Sequence, residues 1–119
     1  SITSYTSGSN NYRVHTFTSS GTWTNTLSMN ADMLLVAGGG SGGVDNGSGA
    51  GAGGMVEPTG ISVTAQGYGI TIGGGGASVI GSAIAGNQGG NSSALGYSTT
   101  GGGKGVNVKE TVFSLKMAF

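Results

Sequence analysis

The sequence predicts an all-β fold with essentially no α-helix, and three observations lead there. β-Branched and aromatic residues cluster in short runs bounded by turn residues. No stretch carries a sustained apolar period of 3.6 residues. Glycine fills 28 of 119 positions, gathered in blocks that each adjoin a strand-like run, against a usual share of about 7%. A chain of this length holds one domain. The expected architecture is a small β-sandwich or β-layer carrying glycine-rich segments, either as helices of the polyglycine/polyproline II type or as loops.

Residues 1–11, rich in Ser, Thr, Asn and Gly, read as a linker or lead-in segment, and residues 12–105 as the glycine-rich β domain. Tyr12 to Thr18 (YRVHTFT) is dense in strand formers. Ser19-Ser20-Gly21 is turn chemistry, and Thr22-Trp23-Thr24 starts a second strand, so the two are expected to form a hairpin. Asn30-Ala31-Asp32 turns the chain into Met33 to Ala37, whose continuous apolar character predicts burial on both faces. After the block Gly38 to Gly54 come a short strand, Met55-Val56-Glu57, and a turn, Pro58-Thr59-Gly60. Ile61 to Val63 and the alternating Tyr68 to Ile72 are two further strands. Ala77 to Ala85 interrupts the glycine, and its Val79, Ile80 and Ile84 form either a small satellite core or a projecting loop. Residues 106–119 are expected to be a C-terminal strand, available to pair with a neighbouring subunit or domain.

Glycine pairs recur three apart: Gly40/Gly43, Gly51/Gly54, Gly73/Gly76, Gly86/Gly89 and Gly102/Gly105. A polyproline II helix has three residues per turn and no internal hydrogen bonds. Several such helices can bond to one another only where no side chain holds the backbones apart, which glycine permits on every face. Such contacts would satisfy the backbone groups of a buried segment. The alternative is mobile loops on a β-sandwich. Packed helices predict that an internal substitution such as Gly74→Ala costs far more than the usual ~0.5–1 kcal/mol between Gly and Ala.

Composition removes several functions. Four basic residues balance four acidic ones, so there is no electrostatic footprint for nucleic acid or anionic membrane. No segment approaches the roughly 20 apolar residues of a membrane-spanning helix. Without cysteine there are no disulfides or thiolate metal sites, which favours a bacterial or viral setting or stability drawn from oligomerisation. The only histidine, His15, lies in an alternating strand, where a surface or hydrogen-bonded role is commoner than a general base. The separated carboxylates suggest no acid–base pair or metal cluster. Gly38 to Gly43 matches the dinucleotide-binding fingerprint after a strand, with Glu57 near the position of a ribose ligand. That mechanism needs a helix to start in the turn, and the following VDNGSGAGAGG cannot hold one. Gly103-Lys104-Gly105 ends like a phosphate-binding loop, but Gly105 stands where the magnesium-ligating Ser or Thr belongs. No enzyme activity, metal or cofactor is expected. The residues stranded among glycines make better candidates for a contact surface: Val44, Asp45, Asn46, Tyr68, Ser78, Val79, Ile80 and Tyr97.

The order of elements is similar to one known family. The run Val14-His15-Thr16-Phe17-Thr18-Ser19-Ser20-Gly21-Thr22-Trp23-Thr24, the strand Leu34-Leu35-Val36-Ala37 with Gly38 to Gly40, and Gly51-Ala52-Gly53-Gly54-Met55-Val56 follow one another. Then come Ile70-Thr71-Ile72 with Gly73 to Gly76, Gly89-Gly90-Asn91-Ser92-Ser93, and Thr99-Thr100 with Gly101 to Gly103. Together they resemble the glycine-rich domain of bacteriophage tail-fibre and adhesin proteins and related bacterial surface proteins, over about residues 12–105. The departures are Asn25 to Asn30 in place of the usual V-P-A-G link, short glycine tracts, and an unmatched ending. The resemblance implies a small β-structure from which packed polyglycine helices project. It also implies a place on the virion, or otherwise on a cell surface, where the loops meet a host-surface glycan or outer-membrane protein. A fibre setting implies other fibre subunits as partners and, by analogy, a homotrimer. A purely structural capping or assembly module is the other expected role.

Overall fold

The computed structural model describes residues 1–107, which contain ten strands and no helix. The strands are β1 (Ile2–Ser7), β2 (Asn10–His15), β3 (Gly21–Thr24), β4 (Met29–Ala31), β5 (Leu35–Val36), β6 (Met55–Val56), β7 (Ile61–Val63), β8 (Gly67–Ile70), β9 (Ser92–Ala94) and β10 (Tyr97–Thr99). They pair two by two and always antiparallel: β1 with β2, β3 with β8, β4 with β7, β5 with β6, β9 with β10. The fold is all-β as expected. In place of a sandwich, the described residues form ribbons whose continuation is glycine.

One long hairpin organises the molecule. Gly21 faces Ile70, Thr24 faces Gly67, and Leu35 faces Val56. The same register carries on past the last strand residues, with the N–H groups of Ala37, Gly40 and Gly43 donating to the carbonyls of Gly54, Gly51 and Ser48. A one-residue offset enters after Asn25, so that Met29 faces Val63, and is taken back where Met33 N–H donates to Pro58 O. Such a local insertion is how a ribbon bends without losing its pairing. The hairpin reverses at Asp45-Asn46.

Beyond the ribbon lie five extended tracts, residues 37–44, 48–54, 72–77, 84–91 and 100–107, here tracts 1 to 5. A β-strand returns to the same neighbour every second residue. In tract 1, Ala37, Gly40 and Gly43 donate to tract 2, whereas Gly38, Ser41 and Val44 donate to Gly90, Asn87 and Ile84 of tract 4 at 3.0, 2.8 and 3.0 Å. That period of three marks a helix with three residues per turn, and no tract residue has a positive φ. The pattern repeats throughout: Ser48, Gly51 and Gly54 donate to Val106, Gly103 and Thr100, Gly86 and Gly89 to Gly105 and Gly102, and Gly102 and Gly105 to Gly38 and Ser41. Tract 1 therefore bonds to all four others, tract 3 included through Gly76 N–H to Gly39 O. The spaced pairs Gly40/Gly43, Gly51/Gly54, Gly86/Gly89 and Gly102/Gly105 each serve a single neighbour. Gly73/Gly76 does not, because Gly73 N–H donates to the Ser92 hydroxyl instead.

Side chains are excluded on packing grounds. A Cβ at Gly86 would lie 1.9 Å from Ser41 O, and one at Gly101 would lie 1.8 Å from Gly89 O. The expectation for Gly74 is overturned: a Cβ there meets nothing within 4 Å, since that side of tract 3 points out of the bundle.

Several strands differ from expectation. Residues 2–7, read as a linker or lead-in, form β1 and pair with β2, so the 12–18 run finds its partner upstream rather than in 22–24. Trp23 instead faces Tyr68 across the long ribbon. Met33 to Ala37 is not buried on both faces: Leu35 and Ala37 are buried, while Leu34 and Val36 are 61% and 48% exposed. The hairpin β9–β10 packs against β5–β6, and the alternating exposure puts that contact on the Leu35 and Ala37 side. Among the described residues no second apolar layer meets the other face, where Leu34 and Val36 stand exposed. The expected strand over residues 106–119 lies outside the described residues beyond Asn107, which bridges Gly47.

The β9–β10 turn places Leu95 and Gly96 at φ 51° and 81°, the two left-handed central positions of a type I′ turn. Leucine is costly there, because its Cβ crowds the backbone. Leu95→Asn, the residue type this turn favours, should raise stability by roughly 1 kcal/mol, measurable as a higher denaturant midpoint.

Candidate functional site

Two loops meet at the end of the bundle away from the ribbon. The first, Val44 to Gly47, joins tracts 1 and 2. Asp45 and Asn46 occupy φ 59° and 65°, and Asp and Asn are the non-glycine residues that tolerate this region best. The turn is clamped by Asn107, whose side-chain amide donates to Val44 O and to Asp45 O, the latter at 3.0 Å. Val44 N–H donates to Ile84 O, tying this loop to the foot of the second.

The second loop, residues 78–83, joins tracts 3 and 4. Its base is held by Ser41, whose hydroxyl donates to Ala77 O at 2.7 Å and accepts from Asn87 N–H at 2.8 Å. The Asn87 side chain also donates to Ala77 O. Gly81 and Ala83 both take positive φ, 122° and 57°, so the loop reverses sharply. Ile80 stands at its apex, 89% exposed, and Ile84 is 40% exposed. Of the two arrangements open for Ala77 to Ala85, the structure takes the projecting loop and not the satellite core.

The structure thus brings Val44, Asp45, Asn46, Ser78, Val79 and Ile80 to one end. It separates the other two candidates from them. Tyr68 lies in β8, because the alternating Gly-Tyr-Gly-Ile pairs as a strand; its ring stacks on Trp23 with centroids 5.6 Å apart. Its hydroxyl accepts from Thr64 N–H at 2.8 Å. The Thr64 side chain, then that of Gln66 and the Thr64 backbone, hold the phenol below the ordinary tyrosine pKa. Tyr97 opens β10 at the opposite end of the bundle, 42% exposed beside the Leu95-Gly96 turn.

What sequence reasoning missed is the set of small polar side chains inside the tracts and, at Ser92, just beyond one. Ser41, Ser48, Asn91 and Ser92 accept from the N–H groups of Asn87, Val106, Gly101 and Gly73. Each satisfies a donor where no neighbouring carbonyl is in phase. A lone Ser or Asn interrupting a glycine run was the available signal. Chemically, the tip offers one carboxylate, amide and hydroxyl groups, and an apolar apex on a backbone braced from below.

A family model described as a glycine-rich domain matches residues 16–115. No curated protein and no solved structure matches the chain.

Proposed function

We propose that this chain, which belongs to the glycine-rich domain family, is an attachment module of the bacteriophage tail-fibre or tail-tip kind. In this reading it contributes to host-surface recognition and carries out no covalent chemistry. The observation that carries it is the gathering of the 44–47 and 78–83 loops at one end of a braced bundle, with Ile80 almost fully exposed. A rigid backbone presenting short loops lowers the ordering cost of binding. The partner would be a surface glycan or an outer-membrane protein, met by Asp45, Asn46 and Ile80.

Binding of the labelled domain to a panel of bacterial cells tests this, with Asp45→Ala and Ile80→Asp as variants. Adsorption to the bound strain should fall tenfold or more, about 1.4 kcal/mol, with the unfolding midpoint of Ile80→Asp unchanged. Undiminished adsorption by both variants would remove the tip from the binding role. One observation favours the purely structural alternative, a capping or assembly module: the chain passes through the tip at Asn107, which clamps the 44–47 turn. Under that reading the same variants leave adsorption untouched but alter particle assembly.

A further inference from the structure

The ribbon half of the molecule has little core of its own, with Leu35 and Val63 its large buried apolar side chains. β1–β2 is a two-stranded hairpin with every residue but His15 exposed, and an isolated hairpin is marginal in water. Tyr5 and Tyr12 stack across it, 5.0 Å between centroids, and share their face with Val14. These three are 53%, 40% and 39% exposed. Further along, Val36 and Met55 face each other on the outer side of β5–β6, with Leu34 on the same side, and are 48%, 62% and 61% exposed. Among the described residues, buried apolar side chains are few by comparison, Leu35, Ala37, Val63 and Ala94. Monomers rarely leave extended apolar patches uncovered.

We infer that these two patches are the contact surface for a second copy of this chain, laid side by side along the ribbon. Area supports it: taking ~200 Å² for a fully exposed side chain of this size, the six expose on the order of 600 Å². A standard interface takes about 800 Å² from each partner, its polar rim included. Length supports it too. The molecule extends 75 Å along one axis and 32 × 23 Å across, and a partner covering both the hairpin and β5–β6 must itself be long. Another copy meets that condition. Its net charge of zero adds no long-range repulsion, and the outer edges of the two-stranded ribbons, unpaired among the described residues, offer backbone groups to it. The inference goes beyond the attachment reading and does not rest on it.

Sedimentation of the wild-type chain should give at least twice the 11.4 kDa of one copy. The double variant V36K/M55K, and separately Y5K/Y12K, should sediment as single chains, because each would bury unpaired charge in the contact. Asp45→Ala should stay assembled. A wild-type monomer, or lysine variants that remain assembled, overturns the proposal. A wild-type readout covers variants that fail to fold: Met55 should be oxidised by hydrogen peroxide more slowly in concentrated than in dilute solution. Equal rates at both concentrations overturn it as well. Loss of assembly in the lysine variants with adsorption per chain retained separates this surface from the tip.

Discussion

Gly86→Ala should destabilise the protein by more than about 3 kcal/mol, the upper end of ordinary overpacking, and should abolish cooperative folding if the bundle cannot re-form. The added Cβ would sit 1.9 Å from Ser41 O and 2.6 Å from Ser41 C. These are backbone atoms, so no rotamer change relieves the clash and tracts 1 and 4 must part. Parting them breaks the bonds from Gly38, Ser41 and Val44 to tract 4 together, and strains those by which Gly102 and Gly105 hold tract 1. Gly74→Ala and Gly103→Ala are the controls, with nothing within 4 Å of either Cβ. Both should be neutral or stabilising by roughly 0.4–1 kcal/mol, since alanine has less freedom to lose on folding. Denaturant midpoints for the three variants decide between packed helices and loops. If Gly86→Ala behaves like Gly74→Ala, the tracts do not pack.

Asn25→Ala should cost about 2–3 kcal/mol by loss of buried hydrogen bonds. Asn25 is 5% exposed. Its side-chain amide donates to Leu27 O at 2.6 Å and across the ribbon to Thr64 O at 2.8 Å, while its backbone N–H donates to Gln66 O. It stands where the register slips by one, so it closes carbonyls that the offset ladder leaves unpaired. Asn25→Asp should be at least as damaging, since it removes both donors and sets a carboxylate against two carbonyl oxygens. Asn30→Ala, at an exposed position of β4, should stay within about 0.5 kcal/mol. Thermal unfolding of the three variants tests the assignment, and equal midpoints for the residue-25 and residue-30 variants would refute it.

Both predictions start at features the sequence displays but does not interpret. Asn25 falls within the six residues that replace the usual link of the resembling family, and its role depends on Thr64, thirty-nine residues away. The spacing of Gly86 and Gly89 was legible as a helical period; which oxygen each would meet was not. The tip was partly legible as well. Asp45-Asn46 and Ser78 to Ile80 stood out as polar or apolar islands between glycines, and they do meet at one end. Tyr68 and Tyr97 stood out for the same reason and lie elsewhere. The sequence places Tyr68 in a strand, but only its partner Trp23 fixes that strand in the ribbon, away from the tip.

By itself the sequence determined local conformation. Its β-branched runs and its lack of a helical period specify most of the strands, and glycines three apart permit three-residue turns, because these depend on each residue's own sterics. Tertiary structure decided the partners: that the Tyr12 run pairs with residues 2–7, that Gly74 faces outward while Gly86 faces in, and that Leu35 is covered while Val36 is bare. Those outcomes depend on which backbone groups, distant in the chain, come into phase. An extended glycine segment can bond in every direction around its axis, so its local sequence leaves open which neighbour it will take.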